Sequence, residues 1–173
     1  MPHHATVIGD TTGVDALVLS HLDALGVEHV VVPCDPAFAD TAAFCARYGY
    51  PLDSSANTIV VAARREPGVV CACVVLATTR LDVNHTVCDL LGVRKASFAS
   101  PEQTQAITGM LIGGVTPFGL PEAVPLYVDA AVMNRGWVIV GGGSRSMKLR
   151  IAPSALLRVP AARVIDGLAM SAP

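Results

Sequence analysis

The chain has 173 residues, of which 52% are hydrophobic and 15% charged, and its formal net charge is −2. This length predicts one domain with a sizeable core, and the near-neutral charge excludes a highly basic nucleic-acid coat and a charge-driven disordered chain. The mean hydropathy is high, at +0.53, but the longest apolar run, residues 69–77, is much shorter than the roughly 18 residues of a membrane span. No membrane partner is therefore expected.

The distribution of charge bears on location and partners. No lysine or arginine precedes the first apolar stretch, so a secretory signal is not predicted and the expected location is cytoplasmic. Residues 1–93 hold four arginines against ten acidic residues, whereas residues 94–173 hold eight lysines and arginines against four acidic residues. A phosphate-bearing partner is expected to contact the second half, unless the two halves mix on one folded surface.

The first half of the chain alternates predicted helices and strands. The helices are predicted from capping residues and terminal glycines: from Thr11 or Thr12 to Gly26, from Asp40 to Gly49, and from Asp82 to Gly92. The strands are predicted from runs of β-branched and apolar residues: 27–33, 57–62, 69–77 and 93–99. A Glu-Pro-Gly turn separates the second strand from the third and predicts a β-hairpin.

The second half begins with a strong helix signal. Ser100, Pro101 and Gln103 predict a capping box, and Gly109 ends that helix. The remaining predicted elements follow in chain order: a strand at 124–128, a short turn or helix at 129–134, strands at 137–140 and 147–151, and a short helix capped by Ser154. Hairpins mixed with helices favour an α+β fold with a mixed sheet over a regular parallel α/β stack.

Two glycine-rich loops are the candidate binding elements. Residues 113–121 combine glycines, which allow close approach of a ligand to the backbone, with prolines that stiffen the loop. Residues 141–144 place three consecutive glycines between two strands, which suits an anion or a carbonyl oxygen. Neither loop has the pattern of a Walker A or dinucleotide-binding motif, and both could also be simple tight turns.

The cysteines and histidines support no standard site. Cys71 and Cys73 share one face of a predicted strand, and His85 and Cys88 share one face of a predicted helix, so a metal or redox site is one hypothesis. Their spacing matches no familiar zinc pattern, and buried free cysteine is common. The sequence also lacks serine-hydrolase and zinc-protease motifs, and His21 is interpreted as a helix-surface residue.

A series of short motifs nevertheless resembles one family. In chain order these are Leu81-Asp82, residues 90–97 (LLGVRKAS), residues 99–102 (ASPE), Thr108-Gly109, residues 113–120 (GGVTPFGL), Val128-Asp129, Gly142-Gly143 and residues 154–157 (SALL). Their order resembles the YbaK/EbsC, or prolyl-tRNA synthetase-associated, editing domain family over about residues 10–160.

The resemblance implies a fold and a reaction. It implies one α+β domain, residues 1–160, with a strongly curved mixed β-sheet flanked by helices, followed by a tail at 161–173. It implies a trans-editing aminoacyl-tRNA deacylase that hydrolyses the ester of mischarged tRNA bearing a small amino acid. No metal and no organic cofactor is expected, and an aminoacyl-tRNA synthetase is a further candidate partner.

The resemblance also implies roles for individual residues. The first loop would line the amino-acid pocket with Gly113, Gly114, Val115, Thr116, Pro117 and Gly119, and backbone N–H groups of this loop would hold the substrate carbonyl. Gly114 is the candidate catalytic donor, so a Cβ added there is expected to enter the pocket and leave the fold intact. Gly142, Gly143 and Ser144 would lie beside the terminal adenosine.

The sequence departs from the family pattern at several polar positions. Many members carry a lysine where this chain has Asn57, and neither Lys95 nor Lys148 occupies that position. Cys34 stands where some members have a tyrosine, and it is interpreted as a pocket wall or a buried thiol. Asn57 is kept as a candidate catalytic residue, but the missing lysine supports a second hypothesis, a non-catalytic module that binds aminoacyl-tRNA ends or a synthetase.

Overall fold

The computed structural model describes residues 13–172, which form a mixed α+β fold. Thr11 and Thr12, the predicted first caps, lie outside the described residues. The helices are α1 Gly13–Leu25, α2 Thr41–Tyr48, α3 Cys88–Leu91, α4 Pro101–Thr108 and α5 Ala130–Met133. The strands are β1 His29–Pro33, β2 Ala56–Ala63, β3 Val70–Leu76, β4 Thr79–Leu81, β5 Ala96–Phe98, β6 Leu126–Asp129, β7 Val138–Gly141, β8 Met147–Ile151, β9 Ala162–Ile165 and β10 Ala169–Ser171.

The strands fall into three hydrogen-bonded groups. The largest is a five-stranded mixed sheet in the order β5-β2-β3-β6-β9, in which β3, β6 and β9 run parallel. A three-stranded antiparallel sheet has the order β1-β8-β7, and β10 pairs with β4. A bridge between Ser55 and Ile139 joins the two larger sheets at one point. The predicted α+β class with a mixed sheet is confirmed.

Strand β3 separates two hydrophobic clusters because alternate side chains of a strand point to opposite faces. Ala72, Val74 and Leu76 belong to the larger cluster. Cys71 and Cys73 belong to the smaller one on the other face. Burial on both faces explains why the sequence of β3 is continuously apolar.

Most local predictions agree with the structure. The β2–β3 hairpin forms with Ile59 opposite Cys73, and the capping box of α4 is complete, with reciprocal bonds between Ser100 and Gln103. The Asp82 side chain caps the next helical segment by accepting from the Thr86 N–H, although that segment begins with a π-helical turn, Val83–Val87. These features depend on residues close in sequence.

Other elements differ from the sequence-based expectation. The last helical segment is a 3₁₀ helix, Pro153–Arg158, whose N-cap is Ala152, so the prediction that Ser154 caps it is wrong. Strand β4 was not predicted. Residues 162–165 and 169–171, in the segment treated as a tail, form strands that pair with β6 and β4. None of the helices among residues 13–172 has both the length and the apolar character required of a membrane span.

Candidate functional site

A cavity of about 370 Å³, called here the central cavity, lies between β2, β7, the start of α2 and the loop that precedes Val115. Asn57, Gly113, Val115 and Lys148 contribute to its lining. It therefore brings together one predicted loop, one predicted polar side chain and a lysine that is not among the predicted site residues.

The two glycine-rich loops lie back to back. The N–H of Gly143 donates to the Gly114 carbonyl at 2.7 Å, and a Cβ added at Gly114 would lie 2.5 Å from the Ser144 carbonyl oxygen. A Cβ at Gly141 would collide with the Val115 backbone. Glycine is thus required here because two backbones approach closely. Gly142, Gly143 and Ser144 support the first loop from behind and are not among the residues that line the central cavity.

Helix α1 holds both loops in place. The buried Asp15 carboxylate accepts from the Ser144 N–H at 2.9 Å and from the Ser144 hydroxyl at 2.7 Å. The N–H of Gly119 donates to Nδ1 of His21 at 2.7 Å, which places the proton of a neutral His21 ring on Nε2. Asp15 and His21 are therefore positioning residues for the loops, a role that their sequence neighbours do not indicate.

Lys148 enters the central cavity from β8. Its Nζ donates to the Ala39 carbonyl, 2.6 Å away, and to the Gly113 carbonyl, 2.7 Å away. Only 6% of the residue is exposed, and no carboxylate lies within ion-pair distance of Nζ among residues 13–172. The expectation that no lysine replaces the missing family lysine was based on chain position. In space, Lys148 lines the same cavity as Asn57.

Burial dominates the electrostatics of Lys148. Removal from water lowers the pKa of its ammonium below the ordinary value for lysine, and the nearby Arg145 charge acts in the same direction, whereas Cys34 and Asp40 oppose the shift. A buried cation beside the Gly113 peptide places positive potential where an ester oxygen could gain negative charge.

Arg145 links two segments at the edge of the central cavity through hydrogen bonds. Its guanidinium donates to the Pro36 carbonyl at 2.9 and 3.1 Å, to the Ile112 carbonyl at 2.8 Å and to the Asp40 carboxylate at 3.1 Å. The segment that leads into α2 and the loop that leads into Gly113 are thus held by one side chain. Gly113 adopts φ +91°, and a Cβ there would collide with this guanidinium.

The backbone N–H groups of the first loop differ in availability. The N–H of Gly114 donates to the Leu111 carbonyl at 2.8 Å, so the structure does not support Gly114 as the direct donor to a substrate. Gly113 and Val115 both line the cavity, and among residues 13–172 their N–H groups have no hydrogen-bond partner. Thr116, Pro117 and Gly119 are not among the cavity-lining residues.

Residues 35–159 match the sequence model of the aminoacyl-tRNA editing domain family. The chain belongs to this family. The editing domain is 30% identical over 66 residues to a protein of Enterococcus faecalis named "Putative Cys-tRNA(Pro)/Cys-tRNA(Cys) deacylase EbsC". It is also 36% identical over 62 residues to the uncharacterized protein YwhH of Bacillus subtilis. These matches cover 38% and 36% of this chain, and 40% of each relative.

Solved structures share the fold of this editing domain over most of its length. The hypothetical protein APE2540 superposes with a TM-score of 0.79 at 25% identity, covering 89% of this chain and 99% of that one. A protein described as "a putative trans-editing enzyme for prolyl tRNA synthetase" superposes with a TM-score of 0.75 at 23% identity, covering 90% of this chain and 96% of that one.

Two neighbouring polar side chains on β2 of this editing domain, Asn57 and Thr58, differ in their hydrogen bonding. The side-chain carbonyl oxygen of Asn57 accepts from the Thr41 hydroxyl at 2.6 Å. The side-chain NH2 group of Asn57 is its hydrogen-bond donor. The Thr58 hydroxyl is buried in the cavity wall and has no partner among the described residues. Asn57 is therefore positioned by α2, whereas Thr58 carries an unsatisfied polar group.

Thr58→Val is expected to raise the free energy of unfolding by about 1 kcal/mol, because an unpaired buried hydroxyl is removed with little change of shape. Urea denaturation of both proteins measures the difference. Thr86→Val is the matched control: the Thr86 hydroxyl donates to Asp82 at 2.8 Å, so its removal should destabilise. If the two variants destabilise equally, the Thr58 hydroxyl has a partner in solution.

Cys34 lies outside the central cavity. It belongs to a small buried cluster with Phe44 and Ile139, and its Sγ donates to the Asp35 carbonyl at 3.2 Å. Burial raises the pKa of the Cys34 thiol, although the Lys148 and Arg145 charges act in the opposite direction. The structure therefore places Cys34 as a buried thiol and not as a pocket wall.

The alternative metal site is not assembled. The Sγ atoms of Cys71 and Cys73 are 3.8 Å apart and buried, whereas His85 is exposed and bonded to Asp82. Within residues 13–172, no group of three or more histidine, cysteine or acidic side chains is placed to hold a metal ion.

Proposed function

We propose that this protein is a trans-editing aminoacyl-tRNA deacylase, which hydrolyses the ester bond of a mischarged tRNA carrying a small amino acid. The proposal is carried by Gly113 and Val115, which line the central cavity and whose backbone N–H groups have no hydrogen-bond partner among residues 13–172. Backbone donors held rigidly around a developing oxyanion are a large source of rate in acyl transfer. Membership of the editing domain family supports the same reaction class.

The composition of the cavity supports attack by water rather than by a side chain. Of the residues that the structure describes, no histidine or cysteine lines it. Its carboxylate, Asp40, is paired with Arg145, and its ammonium, Lys148, is bonded to two carbonyls. A free general base is therefore lacking among the lining residues, and the ribose hydroxyl next to the ester is the remaining group able to take a proton from water.

In the proposed reaction, water adds to the ester carbon while the carbonyl oxygen gains negative charge. The N–H groups of Gly113 and Val115 donate to that oxygen, and the neighbouring Lys148 ammonium stabilises it electrostatically. The carbon–oxygen bond to the ribose then breaks, and the ribose oxygen takes the proton. The products are the free amino acid and uncharged tRNA, and we expect the reaction to take place in the cytoplasm.

The position of Asn57 favours a second candidate, a non-catalytic module that binds aminoacyl-tRNA ends or a synthetase. The resemblance to the family implies a lysine where this chain has Asn57, and the side-chain carbonyl of Asn57 is already engaged by Thr41. Such a module would retain the central cavity but would not hydrolyse the aminoacyl ester.

A deacylation assay distinguishes the two candidates. The purified protein is offered tRNA mischarged with alanine, serine, threonine or cysteine, together with correctly charged controls. Hydrolysis of one or two mischarged species above the controls supports the deacylase. Binding of the same tRNAs by a folded protein, with no hydrolysis of any, would favour the binding module.

A further inference from the structure

A second groove, of about 770 Å³, lies beside the central cavity and is strongly basic. Four cationic residues line it: Arg64, Arg80, Arg94 and Lys95. All four are exposed, and none of them forms an ion pair or a side-chain hydrogen bond with another residue in the part of the chain that the structure describes. The groove, called here the basic groove, therefore presents unneutralised positive charge.

The fold gathers these cations from distant positions in the chain. Arg64 follows β2, and its backbone N–H donates to the Lys95 carbonyl at 2.9 Å. Arg80 lies in the middle of β4, opposite Met170 of β10. Two of the cations come from the acidic first half of the sequence, so the half-chain charge balance did not reveal this surface.

Among residues 13–172, Asp82 is the one acidic residue that lines the basic groove. Its carboxylate accepts from the N–H of Thr86 at 3.2 Å and the hydroxyl of Thr86 at 2.8 Å, and it also contacts the His85 ring. The capping role turns this carboxylate toward the helical turn, which leaves the four cations as the main charge available to a ligand.

Phe98 connects the basic groove to the central cavity. It is the last residue of the edge strand β5, and it lines both spaces. Its residue exposure of 57% is high for a large apolar side chain. Proteins that bind single-stranded nucleic acids combine exposed aromatic rings, on which bases stack, with cationic side chains that contact the phosphates.

We propose that the basic groove binds the acceptor end of tRNA, with backbone phosphates on the arginines and an unpaired base near the 3′ end stacked on Phe98. The proposal rests on the proposed function, because the ester to be hydrolysed would then lie in the adjoining central cavity. Phosphate recognition by Arg64, Arg80 and Arg94 also explains how a protein of net charge −2 would hold a polyanion.

The test uses an uncharged RNA minihelix that reproduces an acceptor stem with its single-stranded 3′ end. Binding to the full chain is measured by fluorescence anisotropy over a range of salt concentrations. Arg80→Ala/Arg94→Ala removes two groove charges, and Arg158→Ala/Arg163→Ala removes two exposed charges outside the groove as a matched control.

The groove variant is expected to bind the minihelix at least about tenfold more weakly, with a salt slope smaller by about 1.5, since each lost phosphate contact removes roughly 0.7–0.9 from the slope. The control variant should change affinity by less than about twofold. Equal affinity and equal slope for the two variants would overturn the proposal, and would leave an acidic protein surface as the candidate partner of the groove.

Phe98 gives an independent arm of the same test. Phe98→Ala should weaken minihelix binding about tenfold through loss of base stacking, and Phe98→Tyr should restore it because the ring is retained. Equal binding by Phe98→Ala and the wild type would contradict the stacking role.

Activity measurements on two esters distinguish failure of the RNA-binding proposal from failure of the proposed deacylase function. With aminoacyl-tRNA, the groove variant should lose at least about tenfold in kcat/KM, whereas with an aminoacyl-adenosine ester, which has no acceptor stem, it should match the wild type. If the wild type hydrolyses neither ester, the deacylase proposal fails, and minihelix binding still decides the groove. Equal losses on both esters would overturn the RNA-binding role.

Discussion

Gly114→Ala is expected to reduce ester hydrolysis by about a hundredfold and to lower the free energy of unfolding by about 1–3 kcal/mol. The added Cβ would lie 2.5 Å from the Ser144 carbonyl oxygen and 2.8 Å from the Gly143 carbonyl oxygen. Both contacts are with backbone, so the loops must separate, which is the situation of an overpacked core. Displacement of the Gly113 and Val115 N–H groups by about 1 Å is sufficient for a loss of that size.

This result would differ in origin from the effect expected from the sequence. There, the Cβ was expected to enter the substrate pocket without disturbing the fold. In the structure it points against the second glycine loop, so activity and stability should fall together. Steady-state deacylation and urea denaturation of the same preparation measure the two quantities.

Gly136→Ala is the matched control for this substitution. A Cβ at Gly136 meets no atom within 4 Å, so stability should change by less than about 0.5 kcal/mol and activity should be unchanged. Asn57→Ala should reduce activity less than Gly114→Ala, because Asn57 supplies a side-chain amide to the cavity but does not hold the loops. A larger loss for Asn57→Ala would make Asn57 the central group of the site.

Lys148→Met should reduce deacylation at least about tenfold while the chain stays folded. The substitution keeps the length and apolar contacts of the side chain but removes the donor to the Gly113 and Ala39 carbonyls. The Gly113 peptide loses its anchor, and two buried carbonyls lose a partner, each of which destabilises by about 1 kcal/mol or more. Loss of a buried charge offsets part of that effect, so a net destabilisation near 1 kcal/mol is expected at neutral pH.

The difference in the free energy of unfolding between the wild type and Lys148→Met should change with pH in one direction. Burial lowers the pKa of Lys148 in the folded chain, so on raising the pH the folded protein loses this proton before the unfolded chain does. In that window the unfolded state binds more protons, and the free energy of unfolding rises with pH. The stability of the wild type relative to Lys148→Met should therefore increase from the lowered pKa of the folded state up to the ordinary pKa of lysine.

Urea denaturation at several pH values between 7 and about 10.5 measures this difference. Lys95→Met is the control because Lys95 is exposed and is the other lysine of the chain. The stability of Lys95→Met should lie within about 0.5 kcal/mol of the wild type at pH 7. Activity of the lysine variants is compared on an aminoacyl-adenosine ester, so that Lys95 in the basic groove does not influence the result. A constant difference between the wild type and Lys148→Met would contradict the buried-charge argument.

Local features of the fold were predictable because neighbouring residues decide them. Gly49, Gly92 and Gly109 end their helices in the left-handed conformation that glycine adopts without strain. The Ser100–Gln103 capping box depends on four consecutive residues, and the β2–β3 hairpin depends on one turn. The motif order around residues 113–120 was also sufficient to indicate the family that residues 35–159 match.

The chemistry of the site depended on contacts between residues far apart in the chain. Lys148 meets Ala39 across 109 positions, and Asp15 meets Ser144 across 129. Such contacts follow from the order and register of the strands, which place β8 beside β1 and the second glycine loop against the first. A single sequence contains no local signal for that order, since each strand pattern is compatible with several partners.

Helix caps, turns and glycine-rich loops were therefore predictable from the residues that form them. Three features depend instead on how the sheets pack: the burial of Lys148, the place of Gly113 and Val115 in the cavity lining, and the position of Phe98 beside both the central cavity and the basic groove. The physical reason is that helix ends and turns are stabilised within a few residues, whereas a cavity is formed by the packing of elements that are distant in sequence.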